Sequence, residues 1–352
     1  MRSATRHLDP WREARRRRRQ QIIGLLVLPL SLLPFVAYFA HTAEGQVLWT
    51  RTRLGFTRPE LPTLDPDDVE YVAKTVPHYE GGVAVLVYHG VGSAPDGESE
   101  QTMSPTRFGE HLATLRAAGL QPVTTLDLAR ARAGVSPLPP RAVLITFDDG
   151  RAEAMLWADP LLEQAGMRAT MFVITGAASE PGVYYSSWGE LRDYARSGRW
   201  DLQSHTDDHH RMHGTDGGSL PRLTSLADGE TIHAYETRVR RDLQEASDRL
   251  FEATGRRPIA FAYPFGAHGT ERTNDPRVHA ALRRALRATG IELAFHQDDQ
   301  GSVPLTTCDE RPLGIRRLDV GDWTPRELAD RLAQLVADTP DATRCRPAGP
   351  AR

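Results

Sequence analysis

Short apolar runs alternate with amphipathic segments between residues 83 and 338. Seven runs predict β-strands, at 83–88, 143–147, 170–174, 200–203, 259–262, 291–295 and 314–318. The first three are continuously apolar, which is typical of strands that are buried on both faces of a parallel sheet. The intervening segments predict amphipathic helices at 152–165, 187–197, 234–254 and 276–289.

Two further helices begin with the same signal. Ser104 is followed by Pro105, and Thr324 by Pro325, so that each time an N-cap residue precedes a proline at the first helical position. Repeated β–α units of this number predict an α/β fold, either a parallel (β/α) barrel or a doubly wound sheet. A barrel would place its functional residues at the carboxyl ends of its strands.

The first 43 residues have a different character. Residues 1–20 carry eight arginines and two acidic residues, and no Asp, Glu, Lys or Arg follows until Glu44. The stretch 22–40 is almost entirely apolar, and its nineteen residues nearly match a hydrocarbon core of ~30 Å. We predict a basic cytoplasmic arm at 1–20 and one transmembrane signal anchor at 21–43; a cleaved signal peptide and a buried helix are the alternatives. Because the arginines precede the apolar segment, we expect a single-pass protein of the cell membrane whose main domain is extracytoplasmic.

Residues 44–82 contain several prolines and no sustained apolar period, and we predict a stalk there that links the anchor to a domain at 83–338. The tail at 339–352 is predicted to be unstructured. Cys308 and Cys345 are the only cysteines. They either pair in an oxidising compartment, which would fix the tail to the domain, or remain free thiols.

Composition narrows the class of protein. Hydrophobic residues make up 40% and charged residues 25% of the 352 residues, which excludes a wholly disordered chain. The net charge is −3 although the arm is strongly basic, so the rest of the chain is acidic. A nucleic-acid-binding protein would carry its basic patch on the folded domain, and we therefore expect no nucleic-acid partner.

A pair of carboxylates follows the strand at 143–147, where Asp148 and Asp149 precede Gly150. Successive strand residues point to opposite faces, so the two carboxylates would not act as one bidentate ligand. One of them could bind a metal while the other remains free as a base. The alternative is a solvated Asp-Gly turn that caps the next helix.

Histidines cluster after the strand at 200–203. His205, His209, His210 and His213 are four of the thirteen histidines in the chain and lie within nine residues. Neutral imidazole is the commonest protein ligand for a borderline metal such as zinc. One carboxylate and two imidazoles form an arrangement that many catalytic divalent metals use, so the two strand ends together predict a metal site.

The motifs at three strand ends resemble those of a known family. Thr-Phe-Asp-Asp-Gly at 146–150, Ser-His-Thr at 204–206 and Phe-Ala-Tyr-Pro-Phe-Gly at 261–266 are similar to the first three motifs of the polysaccharide deacetylases, the NodB-homology proteins of carbohydrate esterase family 4. Tyr-His-Gly at 88–90 resembles the opening of the branch that de-N-acetylates poly-β-1,6-N-acetylglucosamine. The resemblance covers residues 83–338. It implies the distorted (β/α) barrel of that family, preceded here by the predicted transmembrane helix.

The resemblance also implies roles for individual residues. Asp149 and His205 would bind a divalent metal, zinc, together with a second histidine. Asp148 would be the general base that takes a proton from the attacking water. The backbone N–H of Phe265 would donate to the oxyanion of the tetrahedral intermediate.

Three features depart from the common pattern of the family. The second histidine is His210 in the spacing of the branch named above and His209 in the commoner spacing; the local sequence favours His210. Many members carry an arginine where Ala262 stands, and without it Asp148 would lack the partner that orients the base. The late histidine that serves as general acid has no counterpart after His296, which is therefore the candidate acid.

Residues near the motifs are candidates for a substrate-binding groove: Tyr88, Trp188, Tyr263 and Pro264. For the aromatic ones, a place in the core explains the pattern equally well. The polar, glycine-rich insertion at 211–232 is either a surface loop or a lid over the substrate.

Together with the predicted anchor, the resemblance implies a metal-dependent hydrolase that removes N-acetyl groups from an N-acetylglucosamine-containing polysaccharide outside the cytoplasm. An O-acetyl polysaccharide esterase would use the same residues. A sugar-binding homologue with weakened catalysis is the non-enzymatic alternative.

Overall fold

The computed structural model of the chain describes residues 42–54, 58–92, 102–180, 184–215, 218–297, 303–308 and 311–340, together with Pro34, Tyr38 and Cys345. The strands are β1 (Val83–Tyr88), β2 (Gly90–Val91), β3 (Thr102–Met103), β4 (Gln121–Pro122), β5 (Ala142–Phe147), β6 (Ala169–Val173), β7 (Trp200–Ser204), β8 (Met212–Thr215), β9 (Gly218–Pro221), β10 (Ala260–Ala262), β11 (Leu293–Gln297) and β12 (Ile315–Asp319). The helices are α1 (Ala43–Leu54), α2 (Pro66–Thr75), α3 (Pro105–Ala117), α4 (Thr125–Arg132), α5 (Ala152–Ala165), α6 (Trp188–Arg196), α7 (Ile232–Thr254), α8 (Val278–Ala288) and α9 (Pro325–Ala337).

Seven of these strands, all parallel, close into a barrel in the order β1, β12, β11, β10, β7, β6, β5. β1 closes the barrel because it pairs with β12 at one edge and with β5 at the other: Leu86 lies opposite Leu318, and Val83 opposite Ala142. β4 pairs with the start of β5. The predicted (β/α) barrel is therefore confirmed, and the doubly wound sheet is excluded.

The barrel is distorted between β7 and β10. These strands share one residue pair, Ser204 with Phe261. Below that pair, the side-chain oxygen Oε1 of Gln203 accepts hydrogen bonds from the backbone N–H groups of Ile259 and Ala260, at 3.0 and 2.9 Å. A side-chain amide thus replaces the backbone ladder where the two strands diverge.

Alternate side chains of the barrel strands face two environments. In β1, Val83 and Val85 belong to the cluster that fills the barrel, whereas Ala84 and Leu86 belong to the larger cluster between the barrel and its helices. Every residue of β1 and β5 is buried. The continuous apolar runs of the sequence are explained by burial on both faces of these strands.

The helix starts agree with the signals in the sequence. The Ser104 hydroxyl accepts a hydrogen bond from the backbone N–H of Arg107 at the start of α3. The Thr324 hydroxyl accepts one from the backbone N–H of Glu327 at the start of α9. Each cap satisfies a backbone donor that has no partner within the helix.

Two helices precede the barrel where we predicted a stalk at 44–82. α1 packs on α5 and buries Val47. Val72 of α2, followed by Val76 and Tyr79, joins the core cluster outside the barrel, and the Tyr79 hydroxyl donates to a backbone carbonyl of β5 at 2.8 Å. The stalk prediction is therefore wrong for this segment, and the domain begins before residue 83. Of these three residues only Val72 lies within α2, which ends at Thr75, and Val76 is already extended. No helical period therefore links them in the sequence.

The predicted anchor at 21–43 lies almost entirely outside the described residues, as does the basic arm at 1–20. In the part of the chain that the structure describes, no helix combines the length and the apolar character needed to cross a bilayer.

Cys308 and Cys345 form a disulfide, with their Cα atoms 4.9 Å apart. The backbone N–H of Cys345 also donates to the carbonyl of Gly81 at 2.6 Å. Of the two alternatives for the cysteines, a disulfide or two free thiols, the structure shows the disulfide. The tail, predicted to be unstructured, is fixed to the domain at this residue, and most of its other residues lie outside the described part.

Candidate active site

Polar residues meet at one rim of the barrel. His89 follows β1, Asp148 and Asp149 follow β5, and His205 follows β7. Because the barrel strands are parallel, their carboxyl ends share this rim, which is where (β/α) barrels carry their active sites. The candidate residues from separate sequence motifs are thus brought together by the topology.

Asp149, His205 and His210 form a compact cluster at the rim. The Oδ1 atom of Asp149 lies 3.7 Å from Nε2 of His205 and 3.4 Å from Nε2 of His210. Arg151 holds the other carboxylate oxygen at 3.0 Å. Within the described ranges, this is the one group of at least three His, Cys, Asp or Glu side chains whose ligand atoms lie close enough to share a metal ion, all within 4.8 Å of one another.

Asp149, a member of the cluster, and Thr206, next to His205, have left-handed backbone conformations, with φ of 73° and 75°. For a residue with a side chain this costs roughly 1–2 kcal/mol, so the surroundings must hold it. The loop after β6 does so. The backbone N–H groups of Ile174 and Thr175 donate to the carbonyls of Asp149 and Thr206, at 3.4 and 3.1 Å. The turns after β5 and β7 are thereby tied together, which fixes the direction of the Asp149 side chain.

A hydrogen bond to the backbone orients His205. Its Nδ1 lies 2.8 Å from the carbonyl oxygen of Ala262 in β10, so Nδ1 carries the proton and the lone pair of Nε2 faces Asp149. Burial lowers the pKa of His205 to about 4, and the ring is therefore neutral at neutral pH. Burial alone would raise the pKa of Asp149, but the neighbouring His210 and Arg151 bring it below its usual value. A neutral imidazole and an ionised carboxylate are the states that a divalent metal requires, so the residues fit the metal that this fold and cluster imply.

His209, the alternative ligand, lies outside the cluster. Its Nδ1 is 2.5 Å from Oδ1 of Asp242 in α7, and Asp242 also accepts from the backbone N–H groups of Asp207 and Asp208, at 3.2 and 2.7 Å. Both His209 and Asp242 are buried. This pair joins the loop that carries His210 to α7. Sequence reasoning missed Asp242, although an acidic residue on the apolar face of the predicted helix was a signal for it.

Asp148 has a partner that the sequence analysis did not identify. Nη1 and Nη2 of Arg317 in β12 each donate to one carboxylate oxygen, both at 2.7 Å, and both side chains are buried. Burial alone would raise the pKa of Asp148, but the Arg317 guanidinium more than offsets this and holds the pKa well below its usual range. The expectation that Asp148 lacks an orienting arginine, drawn from Ala262, is therefore wrong: the arginine reaches the carboxylate from another strand.

The sequence did contain a signal for Arg317. Arg316 and Arg317 are adjacent in a predicted strand, so one of them must point into the barrel. Ile315 belongs to the cluster that fills the barrel, and Arg317 shares its face. A charged residue at an inward position requires a buried partner of opposite charge.

His296, the candidate acid, is not part of the Asp149 cluster. It is buried in β11, and its ring lies 4.4 Å from the ring of His268, between centroids. His89 follows β1 and is half-buried at the rim that also carries Asp148 and Asp149. The position of His89 at the rim therefore fits proton transfer better than that of His296.

Three of the four predicted groove residues are buried instead. Tyr88 packs on the ring of Phe147 with 5.4 Å between centroids, and the Tyr263 hydroxyl donates to the carbonyl of Leu313 at 3.1 Å. Pro264 is buried beside Tyr263. The prediction that these three side chains line a groove is wrong, because they have almost no surface to offer a substrate.

The remaining groove candidate and the insertion lie on the surface. Trp188 is half-buried at the start of α6, and its indole N–H donates to the Ser179 hydroxyl at 2.9 Å; its contact with substrate stays a prediction. The insertion at 211–232 contains the antiparallel hairpin of β8 and β9, with Met212 opposite Pro221. Its role as a lid also stays a prediction.

Phe265 lies at the rim in a turn after β10. Its φ is 57°, and its ring lies 4.7 Å from the ring of His210, between centroids. The next residue, Gly266, has φ of 66°, and a Cβ atom there would lie 2.9 Å from the carbonyl oxygen of Gln297. This position therefore requires glycine, and the turn places the Phe265 ring beside the cluster. The role of the Phe265 N–H stays a prediction.

The barrel and this rim form a site in which a carboxylate held by an arginine lies beside an Asp-His-His cluster. A family model described as polysaccharide deacetylase matches residues 136–292. This part of the chain contains the motifs at 146–150, 204–206 and 261–266 and is similar to a polysaccharide deacetylase domain.

Curated relatives extend the match. The chain is 26% identical over 224 residues to the poly-beta-1,6-N-acetyl-D-glucosamine N-deacetylase of Escherichia coli (strain K12), which covers 58% of this chain and 33% of that protein. It is 24% identical over 169 residues to the protein of the same name from Staphylococcus aureus (strain MRSA252), which covers 47% of this chain and 51% of that protein. The chain thus spans between a third and about half of the length of these relatives.

Solved structures share the fold. The BpsB deacetylase domain from Bordetella bronchiseptica matches with a TM-score of 0.57 at 25% identity, over 69% of this chain and 97% of that one. IcaB from Ammonifex degensii matches with a TM-score of 0.56 at 25% identity, over 72% and 97%. A de-N-acetylase from Aggregatibacter actinomycetemcomitans, with a TM-score of 0.59 at 21% identity over 69% and 96%, shows the likeness of fold alone.

Proposed function

We propose that the domain removes N-acetyl groups from a polysaccharide that contains N-acetylglucosamine, with zinc as its metal. The observation that carries this proposal is that two adjacent carboxylates have different partners. Asp149 faces His205 and His210, whereas Asp148 is held by Arg317. Carboxylates held apart in this way can perform two tasks, one as a metal ligand and the other as a base.

Asp149, His205 and His210 would hold the metal. Imidazole nitrogen and carboxylate oxygen are ligands of zinc, and catalytic zinc sites commonly have three protein ligands. When bound, the metal would polarise the acetyl carbonyl and lower the pKa of water.

Asp148 would take the proton from the attacking water. Its two hydrogen bonds to Arg317 fix the plane of the carboxylate, because a bidentate pair allows one relative orientation. The low pKa of Asp148 keeps the group ionised and therefore able to accept a proton at neutral pH. The base is thus both oriented and charged before the substrate binds.

Two further groups complete the proposed site. The backbone N–H of Phe265 would donate to the oxyanion that forms at the acetyl carbonyl. We assign the general acid to His89 rather than His296, because His89 follows a strand end at the rim, whereas His296 lies within β11 with its ring against His268. The acid would protonate the leaving amine.

The substrate class is supported by the names of the relatives. Two of them, at 26% and 24% identity, are called poly-beta-1,6-N-acetyl-D-glucosamine N-deacetylases. We propose a substrate of the same class, a β-linked polymer of N-acetylglucosamine.

We further propose that the domain acts outside the cytoplasm and is anchored in the cell membrane through residues 21–43. The support is the uncharged stretch that follows eight arginines. Fractionation of cells that express the full chain tests this: recovery of unprocessed protein in the soluble fraction would contradict it.

The proposed reaction is tested by acetate release from acetylated β-1,6-glucosamine oligomers, chitooligosaccharides and acetylxylan, before and after removal of metal with a chelator. We expect release from the first substrate, loss with the chelator and recovery with zinc. The Asp148→Asn variant should keep the metal, and its turnover should fall by a factor of roughly 10²–10⁴, the usual scale of general-base catalysis. Asp193→Asn, at an exposed position of α6, is the matched control and should be fully active.

Other outcomes would identify the alternatives. Release from acetylxylan alone would mean an O-acetyl esterase. Binding of the sugars without release from any of them would mean a sugar-binding homologue. Loss of metal in Asp148→Asn would mean that Asp148, not Asp149, is the ligand.

A further inference from the structure

Three side chains beside the Asp149 cluster form an exposed surface that the steps above do not use. They are Phe265, Met212 and Arg272, and we call this surface the Phe265 wall. The three come from separate segments: the turn after β10, the start of β8 and the loop before α8. Eight large hydrophobic side chains are exposed in the described part of the chain. Two of them belong to this wall, Phe265 at 39% and Met212 at 37% exposure.

The members of the Phe265 wall contact one another and a candidate metal ligand. The guanidinium carbon of Arg272 lies 5.8 Å from the centre of the Phe265 ring, and its Nη1 donates to the Phe265 carbonyl at 3.4 Å. Its Nη2 lies 4.0 Å from Sδ of Met212. The other side of the wall is continuous with the cluster, because the Phe265 ring packs against His210.

The backbone of the wall is held in a costly conformation. φ is 57° at Phe265 and 50° at Arg272, in the left-handed region that favours glycine. The Thr224 hydroxyl donates to the carbonyl of Arg272 at 3.0 Å and helps to hold the loop. Burial of the Phe265 side chain does not offset this free-energy cost, because the residue is 39% exposed. Backbone strain of this kind, kept at a site rim, points to a role in binding.

We propose that the Phe265 wall binds the sugar ring next to the one that loses its acetyl group. This inference rests on the proposed function, because it takes the polymer of N-acetylglucosamine as the substrate. The apolar C–H face of a pyranose can pack on the exposed Phe265 ring, with Met212 extending the apolar surface. Further N–H donors of Arg272 would reach the hydroxyl and acetamide oxygens of the same ring.

The wall thereby distinguishes a polymer from a single sugar. A monomer or a small acetyl ester reaches the Asp149 cluster without covering Phe265, whereas an oligomer gains the additional contact. The contact should appear in the preference for oligomer over monomer, because both substrates share the reacting group.

The test compares kcat/KM for an N-acetylated β-1,6-glucosamine tetramer with kcat/KM for a small acetyl ester. The variants are Met212→Ser and Arg272→Gln, each checked for the metal content of the unmodified protein. Phe265→Leu is reserved for the binding measurement, because the Phe265 N–H belongs to the proposed catalytic machinery. Phe251 and Arg257 provide the matched control, because Arg257 lies 5.0 Å over the exposed Phe251 ring, which belongs to α7. We expect the tetramer-to-ester ratio to fall about tenfold in Arg272→Gln, the scale of one hydrogen bond from a charged donor, and to stay constant in Phe251→Leu and Arg257→Gln.

Binding separates this proposal from the proposed reaction. In an Asp148→Asn background, calorimetry should show that Phe265→Leu weakens tetramer binding by about the same tenfold. If the tetramer binds equally well with and without the Phe265→Leu substitution, the proposed role of the Phe265 wall is wrong, even if acetate release is as expected. If the tetramer binds through Phe265 but the unmodified protein releases no acetate from it, sugar binding by the Phe265 wall is supported and the proposed deacetylation is contradicted. Equal falls for tetramer and ester would mean a merely structural role for the wall and would also overturn it.

Discussion

Arg317 and Asp148 form a bidentate ion pair inside the barrel, with both N···O distances at 2.7 Å and both side chains shielded from water. Arg317 comes from β12 and Asp148 follows β5, so the pair spans the closing strand β1, which lies between them. Either partner left alone would be a buried, uncompensated charge. The same contact therefore orients the proposed base and contributes to the stability of the barrel.

Removal of Arg317 should destabilise the protein. We expect Arg317→Met to lower the free energy of unfolding by about 3–5 kcal/mol, because Asp148 keeps its charge without a partner. The double variant Asp148→Asn with Arg317→Met should recover much of this loss, since no charge is left buried. Urea unfolding at pH 7 measures both. An unchanged midpoint in Arg317→Met would show that the pair does not stabilise the fold.

The pair also predicts a dependence of stability on pH. The folded pKa of Asp148 lies below its unfolded value of about 3.9, so the folded state binds fewer protons there. Its contribution is complete above that pH and is lost as the pH falls through the folded pKa. The unmodified protein should therefore lose stability more steeply below about pH 4 than the double variant does. Parallel unfolding curves over this range would contradict the buried ion pair.

His209 and His210 should respond differently to substitution. His210→Ala removes a proposed ligand and should abolish metal binding, while the unfolding midpoint of the metal-free protein changes little. His209→Ala leaves Asp242 without its imidazole partner and should cost about 1–3 kcal/mol of stability while metal still binds. Calorimetric metal titration and thermal unfolding separate the two effects. The reverse pattern would make His209 the ligand.

The general acid can be identified from the pH profile of turnover. His89→Gln should lower kcat strongly and remove the alkaline limb of the profile, because a proton donor is lost. His296→Gln should retain the shape of the profile and act mainly on stability, since its ring packs on His268. A profile that changes shape in His296→Gln alone would return the role to His296.

A chain that begins at Gly82 should be much less stable than one that begins at Arg58. The shorter chain lacks Val72, Val76 and Tyr79, which are buried in the outer core. Each such side chain contributes roughly 1.5–3 kcal/mol, so the loss should amount to several kcal/mol. Thermal unfolding of the two chains measures it. Equal midpoints would restore the view of this segment as a stalk.

Much of the barrel could be predicted from the sequence, because its strands are buried on both faces. Continuous runs such as 83–88 and 143–147 predict strands without knowledge of their neighbours, and the caps at Ser104 and Thr324 are local signals. The segment before the barrel was harder to interpret. α2 has one buried residue, Val72, and its packing depends on a surface formed by distant parts of the chain.

The candidate site likewise has residues that the sequence predicts and contacts that depend on distant parts of the chain. Asp149, His205 and His210 follow strand ends, so parallel topology alone predicts that they meet. The partner of Asp148 could not be found from a motif, because Arg317 is separated from it by most of the domain and joins it only when the barrel closes. The rejection of His209 as a ligand likewise depends on a contact made by a distant helix.

The closing strand has a consequence for the order of folding. β1 is the first barrel strand in the chain, yet Leu86 pairs with Leu318 near the end of the domain. Contacts between such distant positions form slowly, and until β12 has been synthesised one edge of β1 remains open to pairing with other chains. Because β12 also carries Arg317, the step that covers this edge is the step that orients Asp148. A nascent or partly folded chain would therefore have an open barrel and an unoriented Asp148, and both are completed when β12 joins β1.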